Sequence, residues 1–67
     1  MKTFAERLKE LREEKGLSLK QLAKELNVTD IAISRWEREL RIPNIENLVS
    51  IAIFFGVTTD YLVGLED

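Results

Sequence analysis

The 67-residue sequence predicts a single all-α domain of five short helices that spans residues 1–67. Three observations predict this fold class. The length allows only one small domain. Apolar residues recur at spacings of three and four, which is the period of a helix, and no segment is predicted as a strand. Capping residues and glycines separate the apolar stretches at regular intervals, each where a helix starts or ends.

The first two helices each begin with a capping box, in which two side chains three positions apart bond each other's backbone amides. The boxes are Thr3 with Glu6 and Ser18 with Gln21. Gly16 is expected to end the first helix and Asn27 the second, because both residues tolerate the left-handed conformation. The side chains expected to face the core are Phe4, Leu8, Leu11, Leu22, Ala23 and Leu26.

The other three helices have similar boundaries. Their predicted N-caps are Thr29, Asn44 and Thr58. Pro43 limits the third helix, while Gly56 and Gly64 end the fourth and fifth. The side chains expected to face the core are Ile33, Trp36 and Leu40 in the third helix and Leu48, Ile51, Ala52 and Phe55 in the fourth.

Composition excludes most chemistry. The sequence has no Cys and no His, so it has no thiolate or imidazole for a metal site and no nucleophile–His relay. We expect no enzyme activity, no cofactor, no metal and no small-molecule substrate. The longest apolar stretch, residues 48–57, is half the length of a membrane span, and no secretory signal is present, which favours a cytoplasmic location.

The formal net charge of −2 weakly opposes an acidic partner such as DNA, but the charge is unevenly distributed. Residues 1–41 carry a balance of +2, whereas residues 42–67 contain no Lys or Arg and carry −4. The molecule is therefore predicted to have a mildly basic front and an acidic tail.

Residues 18–38 have the spacing of a helix-turn-helix: a short helix, a three-residue turn and a second helix. Small Ala23 permits a close crossing, and Val28 is placed to plug the turn. Ile33 and Trp36 anchor the second helix from beneath. Because these positions are buried, the side chains that must face outward are Asp30, Ile31, Ser34, Arg35 and Arg38.

The motif carries a family resemblance. Its residues are Leu17-Ser18-x-x-x-Leu22-Ala23, Asn27-Val28-Thr29, Ile33-Ser34-x-Trp36-Glu37 and Arg41-x-Pro43. With the closing segment 47–62, they resemble the lambda-repressor/Cro-like (XRE) helix-turn-helix family over roughly residues 4–64. The resemblance implies a compact five-helix DNA-binding domain. It also implies a sequence-specific transcriptional regulator of double-stranded DNA, a repressor that occupies a palindromic operator as a dimer.

In such proteins the second helix of the motif lies in the major groove. By position, the base-contacting residues are Asp30, Ile31, Ser34 and Arg35. Arg35 is suited to guanine, Asp30 to cytosine N4, and Ile31 to a thymine methyl group. The phosphate-contacting positions are Ser18, Leu19, Lys20, Arg38, Arg41, Asn44 and Ile45. The resemblance also implies a structural ion pair between Arg12 and Glu37.

The sequence departs from the family pattern at several positions: Asn27 replaces the more usual Gly of the turn, and Asp30 and Ile31 are unusual at the reading face in being acidic and apolar. Leu19 stands where the family commonly has Gln, which removes an amide donor. Glu39 and Leu40 replace a common Gly-Lys pair, and we expect a longer third helix and one fewer phosphate contact as a result.

Several apolar residues remain after the core is assigned, and they predict a homodimer interface near the C-terminal end. They are Val49, Ile53, Phe54, Tyr61 and Leu65. The alternative is that Phe54 and Tyr61 simply cover a small core. A competing function is a protein-interaction module, such as an antitoxin or anti-repressor, which Leu19, Ile31, Glu39 and the net charge favour. The chain is also compatible with the front part of a longer regulator.

Overall fold

The computed structural model describes residues 3–67, and all regular structure in this range is helical. The helices are α1 (Phe4–Glu14), α2 (Leu19–Leu26), α3 (Asp30–Glu37), α4 (Ile45–Phe55) and α5 (Thr59–Leu62). Helix α3 packs against α1 and α2, α4 packs against α2 and α5, and α5 returns to α1. The predicted five-helix all-α fold class is confirmed. Between residues 3 and 67, no helix is long and apolar enough to cross a membrane.

Every helix begins with a side-chain cap that accepts the backbone N–H three residues later. The caps are Thr3, Ser18, Thr29, Asn44 and Thr58, as predicted. The second capping box is complete: Ser18 Oγ accepts from the Gln21 amide at 3.1 Å, and Gln21 Oε1 accepts from the Ser18 amide at 2.8 Å. In the first box the Glu6 carboxylate accepts from the Thr3 hydroxyl at 3.3 Å, whereas in the second box the corresponding side chain accepts from a backbone amide.

Every helix also ends in the same way. An amide just beyond the helix donates to the carbonyl five residues earlier, which is the Schellman motif. These bonds are Leu17 to Arg12, Val28 to Ala23, Leu40 to Arg35, Val57 to Ala52 and Leu65 to Asp60. The motif requires a left-handed residue, and the residues with positive φ at these ends are Gly16, Asn27, Glu39, Gly56 and Gly64. Helix length is therefore fixed at both ends by local hydrogen bonds.

The end of α3 contradicts two predictions. The helix stops at Glu37 instead of extending further, because Glu39 adopts φ +61° and turns the chain away from the helix axis. Leu40 therefore does not continue the stripe of Ile33 and Trp36 toward the core, and its side chain is 58% exposed. The predicted longer third helix and the predicted inward position of Leu40 are both wrong.

The core contains one fully buried aliphatic side chain from each helix. These are Leu8, Leu22, Ile33, Ile51 and Leu62. Each such burial stabilises the fold by about 1.5–3 kcal/mol. Trp36 is also buried, as predicted. Arg7 is also buried, which its charge did not predict: it is only 5% exposed, and its guanidinium stacks 4.1 Å from the ring centre of Tyr61.

Candidate nucleic-acid interface

The turn between α2 and α3 fixes how the two helices cross. Asn27 ends α2 in the left-handed conformation, and the Val28 amide donates to the Ala23 carbonyl at 3.0 Å. Thr29 then starts α3 by accepting from the Ala32 amide at 3.1 Å. Ala23 is buried and Val28 packs against the core, so small and apolar side chains occupy the inside of the turn. The residues that form the predicted motif therefore occupy the positions expected of them.

Helix α3 has one buried face and one open face. Ile33 and Trp36 are buried beneath the helix. On the opposite side, Ile31 is 58% exposed and Arg35 is exposed. The neighbouring Asp30 and Ser34 are half-buried, and Asp30 Oδ1 accepts from the Ile31 amide at 3.1 Å. The four positions predicted to contact bases thus lie together on the first two turns of α3.

A partly buried ion pair fixes α3 relative to α1. Arg12 donates to the Glu37 carboxylate through Nε at 2.7 Å and through a terminal nitrogen at 3.0 Å. Its other terminal nitrogen donates to the Leu17 carbonyl at 2.9 Å, in the loop before α2. The hydrogen bonds to Glu37 raise the pKa of Arg12 above its ordinary value, so the guanidinium stays charged. One side chain therefore joins α1, the loop that follows it and α3.

Exposed cations and helix starts flank the open face of α3 on both sides. On the α2 side Lys20 is exposed, but the Ser18 amide already donates to Gln21 and is not free for a phosphate. On the α4 side Arg41 is exposed, and Asn44 Oδ1 accepts from the Asn47 amide at 2.8 Å. The remaining phosphate candidates are Leu19, which is half-buried against the core, and Arg38 and Ile45, which are exposed.

Two open hollows border the open face of α3. The first lies between the first turn of α2, α3 and the segment after α3, and its apolar lining is Leu19, Ile31 and Leu40 beside Arg35 and Arg38. The second lies between α3 and the loop before α4 and includes Arg35, Arg41 and Asn44. Leu40 was not predicted to lie at this surface. The only signal came from the resembled family, whose pattern has Gly at position 39, the left-handed position beyond the end of α3.

Comparison with known proteins decides the family. A family model described as helix-turn-helix matches residues 8–62, which is most of the chain. The chain belongs to this helix-turn-helix family. The structure of the P22 c2 repressor in complex with a synthetic operator superposes on this helix-turn-helix domain with a TM-score of 0.92 at 30% identity, covering 98% of this chain and 100% of that one. The lambda-repressor/Cro-like resemblance is confirmed.

Other helix-turn-helix proteins match along nearly the full chain. The transcriptional activator BcrR of Enterococcus faecalis is 45% identical over 64 residues, and the transcriptional regulator ImmR of Bacillus subtilis is 34% identical over 65 residues. The matches cover 96% and 97% of this chain but only 31% of BcrR and 51% of ImmR. The biofilm regulator SinR in complex with DNA superposes with a TM-score of 0.81 at 33% identity, covering 90% of this chain and 97% of that one.

The helix-turn-helix domain also has an apolar surface at its C-terminal end. Ile53 and Leu65 are each 75% exposed, and Val49 and Val63 are exposed as well. Val63 was not among the residues predicted for an interface. The two predicted aromatic residues are half-buried: Phe54 packs edge-on against Phe55, and Tyr61 covers Arg7. The open part of this surface is therefore aliphatic.

Proposed function

We propose that this helix-turn-helix domain binds double-stranded DNA sequence-specifically in the cytoplasm and represses transcription by occupying a palindromic operator as a homodimer. It performs no chemistry on the DNA and needs no cofactor. The observation that carries the proposal is the open face of α3, which the Arg12–Glu37 pair holds outward between two exposed cationic edges. In the helix-turn-helix arrangement such a face enters the major groove.

Base recognition is assigned to four residues of α3. Arg35 is exposed and carries a planar donor pair that matches guanine O6 and N7. Asp30 offers an acceptor for cytosine N4, and Ser34 is able to donate or accept. Ile31 offers an apolar contact. Lys20, Arg38 and Arg41, together with the first amides of α4, are assigned to phosphates on either side, where they position the domain without reading sequence.

Dimerisation is assigned to the apolar surface of Val49, Ile53 and Leu65, with the half-buried Phe54 and Tyr61 at its edge. A dimer that places two copies of α3 about 34 Å apart reaches two successive major grooves. The helix-turn-helix and the segment after it carry five exposed cations, Lys20, Lys24, Arg35, Arg38 and Arg41. Five cations give few phosphate contacts, so we expect dimerisation, which doubles their number on the DNA, to contribute most of the affinity.

Repression is favoured by the comparison that covers both chains almost completely, since the P22 c2 protein bound to operator DNA is a repressor. BcrR is an activator, but this chain spans only 31% of its length. A protein bound to an operator that overlaps a promoter is enough to block a polymerase, and the open face of α3 is the surface that would bind the operator. A reporter gene with the selected operator overlapping its promoter is expected to fall in expression when the protein is produced.

The first experiment is selection of bound sequences from a random duplex pool, and a palindromic consensus is the expected result. With that operator, Arg35→Ala is expected to weaken binding by about 1–3 kcal/mol and to relax preference at one base pair. Lys9→Ala is the matched control, because it removes an exposed cation from α1 and should leave affinity and preference unchanged. If the Arg35→Ala protein binds and discriminates like the parent, Arg35 does not contact a base.

Salt dependence distinguishes the proposal from the protein-interaction alternative. Affinity for random duplex DNA is expected to fall steeply as salt rises, because bound phosphates release counterions. A chain with no measurable affinity for any duplex at low salt would favour an interaction module that retains the fold.

The dimer assignment is tested by Ile53→Asp, which places a charge in the apolar surface. We expect this variant to sediment as a monomer and to lose most of its operator affinity. Ile31→Asp introduces the same charge at another exposed isoleucine, on α3, and is expected to lose operator affinity while remaining dimeric. If Ile53→Asp sediments like the parent, the interface lies elsewhere.

A further inference from the structure

Glu39 is an acidic residue inside the basic run at the end of α3. It directly follows Arg38 and precedes Arg41 by two residues, and Arg35 lies on the last turn of the helix. All four side chains are exposed. Glu39 and Arg41 also line one hollow, between the start of α1 and the segment after α3. A carboxylate therefore lies beside a cation that the proposed function assigns to phosphate.

The carboxylate of Glu39 makes no polar contact that holds the fold. Among residues 3–67 it forms no hydrogen bond and no ion pair, although two arginines are its near neighbours in the chain. Glu37, two residues earlier, differs in this respect, because it is partly buried and receives two hydrogen bonds from Arg12. The negative charge of Glu39 thus faces solvent at the edge of the DNA-binding surface.

The backbone at Glu39 is strained. Its φ of +61° is a conformation that glycine adopts freely and that other residues adopt at a cost. Residues held in such conformations cluster at functional surfaces. Glutamate supplies a negative charge there and glycine does not. Because the charge forms no contact within residues 3–67, its effect is expected in binding.

The field of this charge reaches the phosphates that the flanking arginines are assigned to bind. Consecutive Cα atoms are about 3.8 Å apart, so the Cα atoms of Arg38 and Arg41 lie within about 7 Å of that of Glu39. The Debye length is about 8 Å at physiological ionic strength and about 30 Å at 0.01 M. A phosphate held by either arginine is therefore repelled by the carboxylate, and the repulsion grows as salt is lowered.

We propose that Glu39 lowers the affinity of the domain for DNA of every sequence by repelling the phosphates that Arg38 and Arg41 bind. Phosphate contacts carry no sequence information directly, so operator and random duplex are affected alike. Glu39 leaves discrimination between sequences unchanged and sets the protein concentration at which the operator is occupied. The inference rests on the proposed function, because it concerns the same DNA-binding surface.

The test compares Glu39→Gln with the parent protein on the selected operator and on a random duplex. Glutamine keeps the size of the side chain and the strained backbone but removes the charge. At about 0.01 M salt the variant is expected to bind both duplexes about threefold more tightly per copy of the domain, as for two unit charges about 7 Å apart in water. The gain is expected to shrink steadily as salt is raised, because the Debye length falls.

Two further variants separate the charge from the backbone strain. Glu39→Gly removes both, so it is expected to match Glu39→Gln in DNA affinity while also raising the thermal midpoint. Glu39→Asp keeps the charge and is expected to keep the affinity of the parent. Asp60→Asn is the matched control, since it removes an exposed carboxylate from α5, which packs against α1 and α4, and its effect on affinity should be much smaller.

The outcomes separate this inference from the proposed function. If Glu39→Gln binds both duplexes like the parent at about 0.01 M salt, Glu39 does not repel phosphate. A gain that does not change with salt, or one confined to Glu39→Gly, would assign the effect to the backbone and overturn the proposal. A gain on one duplex alone would overturn the claim that all sequences are affected alike. Failure of the parent and of every variant to bind any duplex would instead overturn the proposed function itself.

Discussion

The front of the domain, α1 to α3, and its back, α4 and α5, are held by different kinds of contact. At the front, Arg12 joins α1, the following loop and α3 through three hydrogen bonds, two of them to Glu37. The back has no Lys or Arg of its own after Arg41. There, α5 is fixed by the buried Leu62 and by Tyr61, which stacks on Arg7 of α1.

The difference follows from what each region must do. A bidentate ion pair has one favourable geometry, so it sets the direction in which α3 presents its open face. Apolar burial has little directionality and tolerates small shifts. The back therefore supplies stability and a broad aliphatic surface, while the front supplies orientation. Three substitutions test this division, and their expected effects decrease in the order given.

The largest effect is expected for Glu37→Gln. The change keeps the shape of the side chain but leaves Arg12 charged, partly buried and without a counter-ion, and we expect a loss of about 2 kcal/mol in the free energy of unfolding. Because Glu37 raises the pKa of Arg12, the contribution of Arg12 protonation is lost only as pH rises through that raised value. The penalty in urea denaturation should therefore be constant across the neutral range.

The control for this prediction is the double variant Arg12→Met with Glu37→Leu. Replacing a buried pair by apolar side chains often leaves stability unchanged, so most of the lost free energy should return. Operator affinity should stay low, because α3 has lost its directional contact. Recovery of both stability and affinity would show that the ion pair does not orient the helix.

A smaller effect, of opposite sign, is expected for Glu39→Gly. Glu39 is a non-glycine residue with φ +61°, a conformation that carries strain of about 1 kcal/mol, and glycine removes it. We expect the thermal midpoint to rise, with about 1 kcal/mol of added stability. Asn27→Gly is the comparison at φ +57°, where asparagine is already tolerated and the gain should be only a few tenths of that. Equal gains at both positions would contradict this account.

The smallest effect is expected for Arg7→Met at the back. The Arg7 guanidinium lies over Tyr61, but its buried Nε has no hydrogen-bond partner among residues 3–67. An unbranched apolar side chain retains the packing and removes a buried charge, so stability should change by less than about 1 kcal/mol. A loss as large as that of Glu37→Gln, measured in the same urea titration, would show that the back also depends on a directional polar contact.

Most of the fold was predictable because its signals are local. Each N-cap acts on an amide three residues away, so Thr29 or Asn44 marks a helix start in any context. The apolar stripes identified four of the five fully buried residues, and the fifth, Leu62, lies in a helix of one turn that has no stripe. The end of α3 was not predictable in this way, because glutamate rarely adopts the left-handed conformation.

The residues of the candidate site were predictable from the sequence, but their tertiary surroundings were not. Helical spacing was enough to place Ile31 and Arg35 on one face. Spacing did not indicate that Leu40 leaves the core to join that face, since this depends on one backbone dihedral at Glu39. Nor did it indicate that Arg7 lies beneath Tyr61, because α1 and α5 are distant in sequence and meet only in the packed domain.

The self-contained ends of α3 have a consequence for how this protein can change. The helix starts at the Thr29 cap and ends at the left-handed backbone of Glu39. Its position in the domain is held by three inward side chains, Ile33, Trp36 and Glu37. None of these requirements involves the side chains at the outward positions 30, 31, 34 and 35. New binding preferences can therefore arise, by evolution or by grafting, through exchange of those four residues on an otherwise constant scaffold.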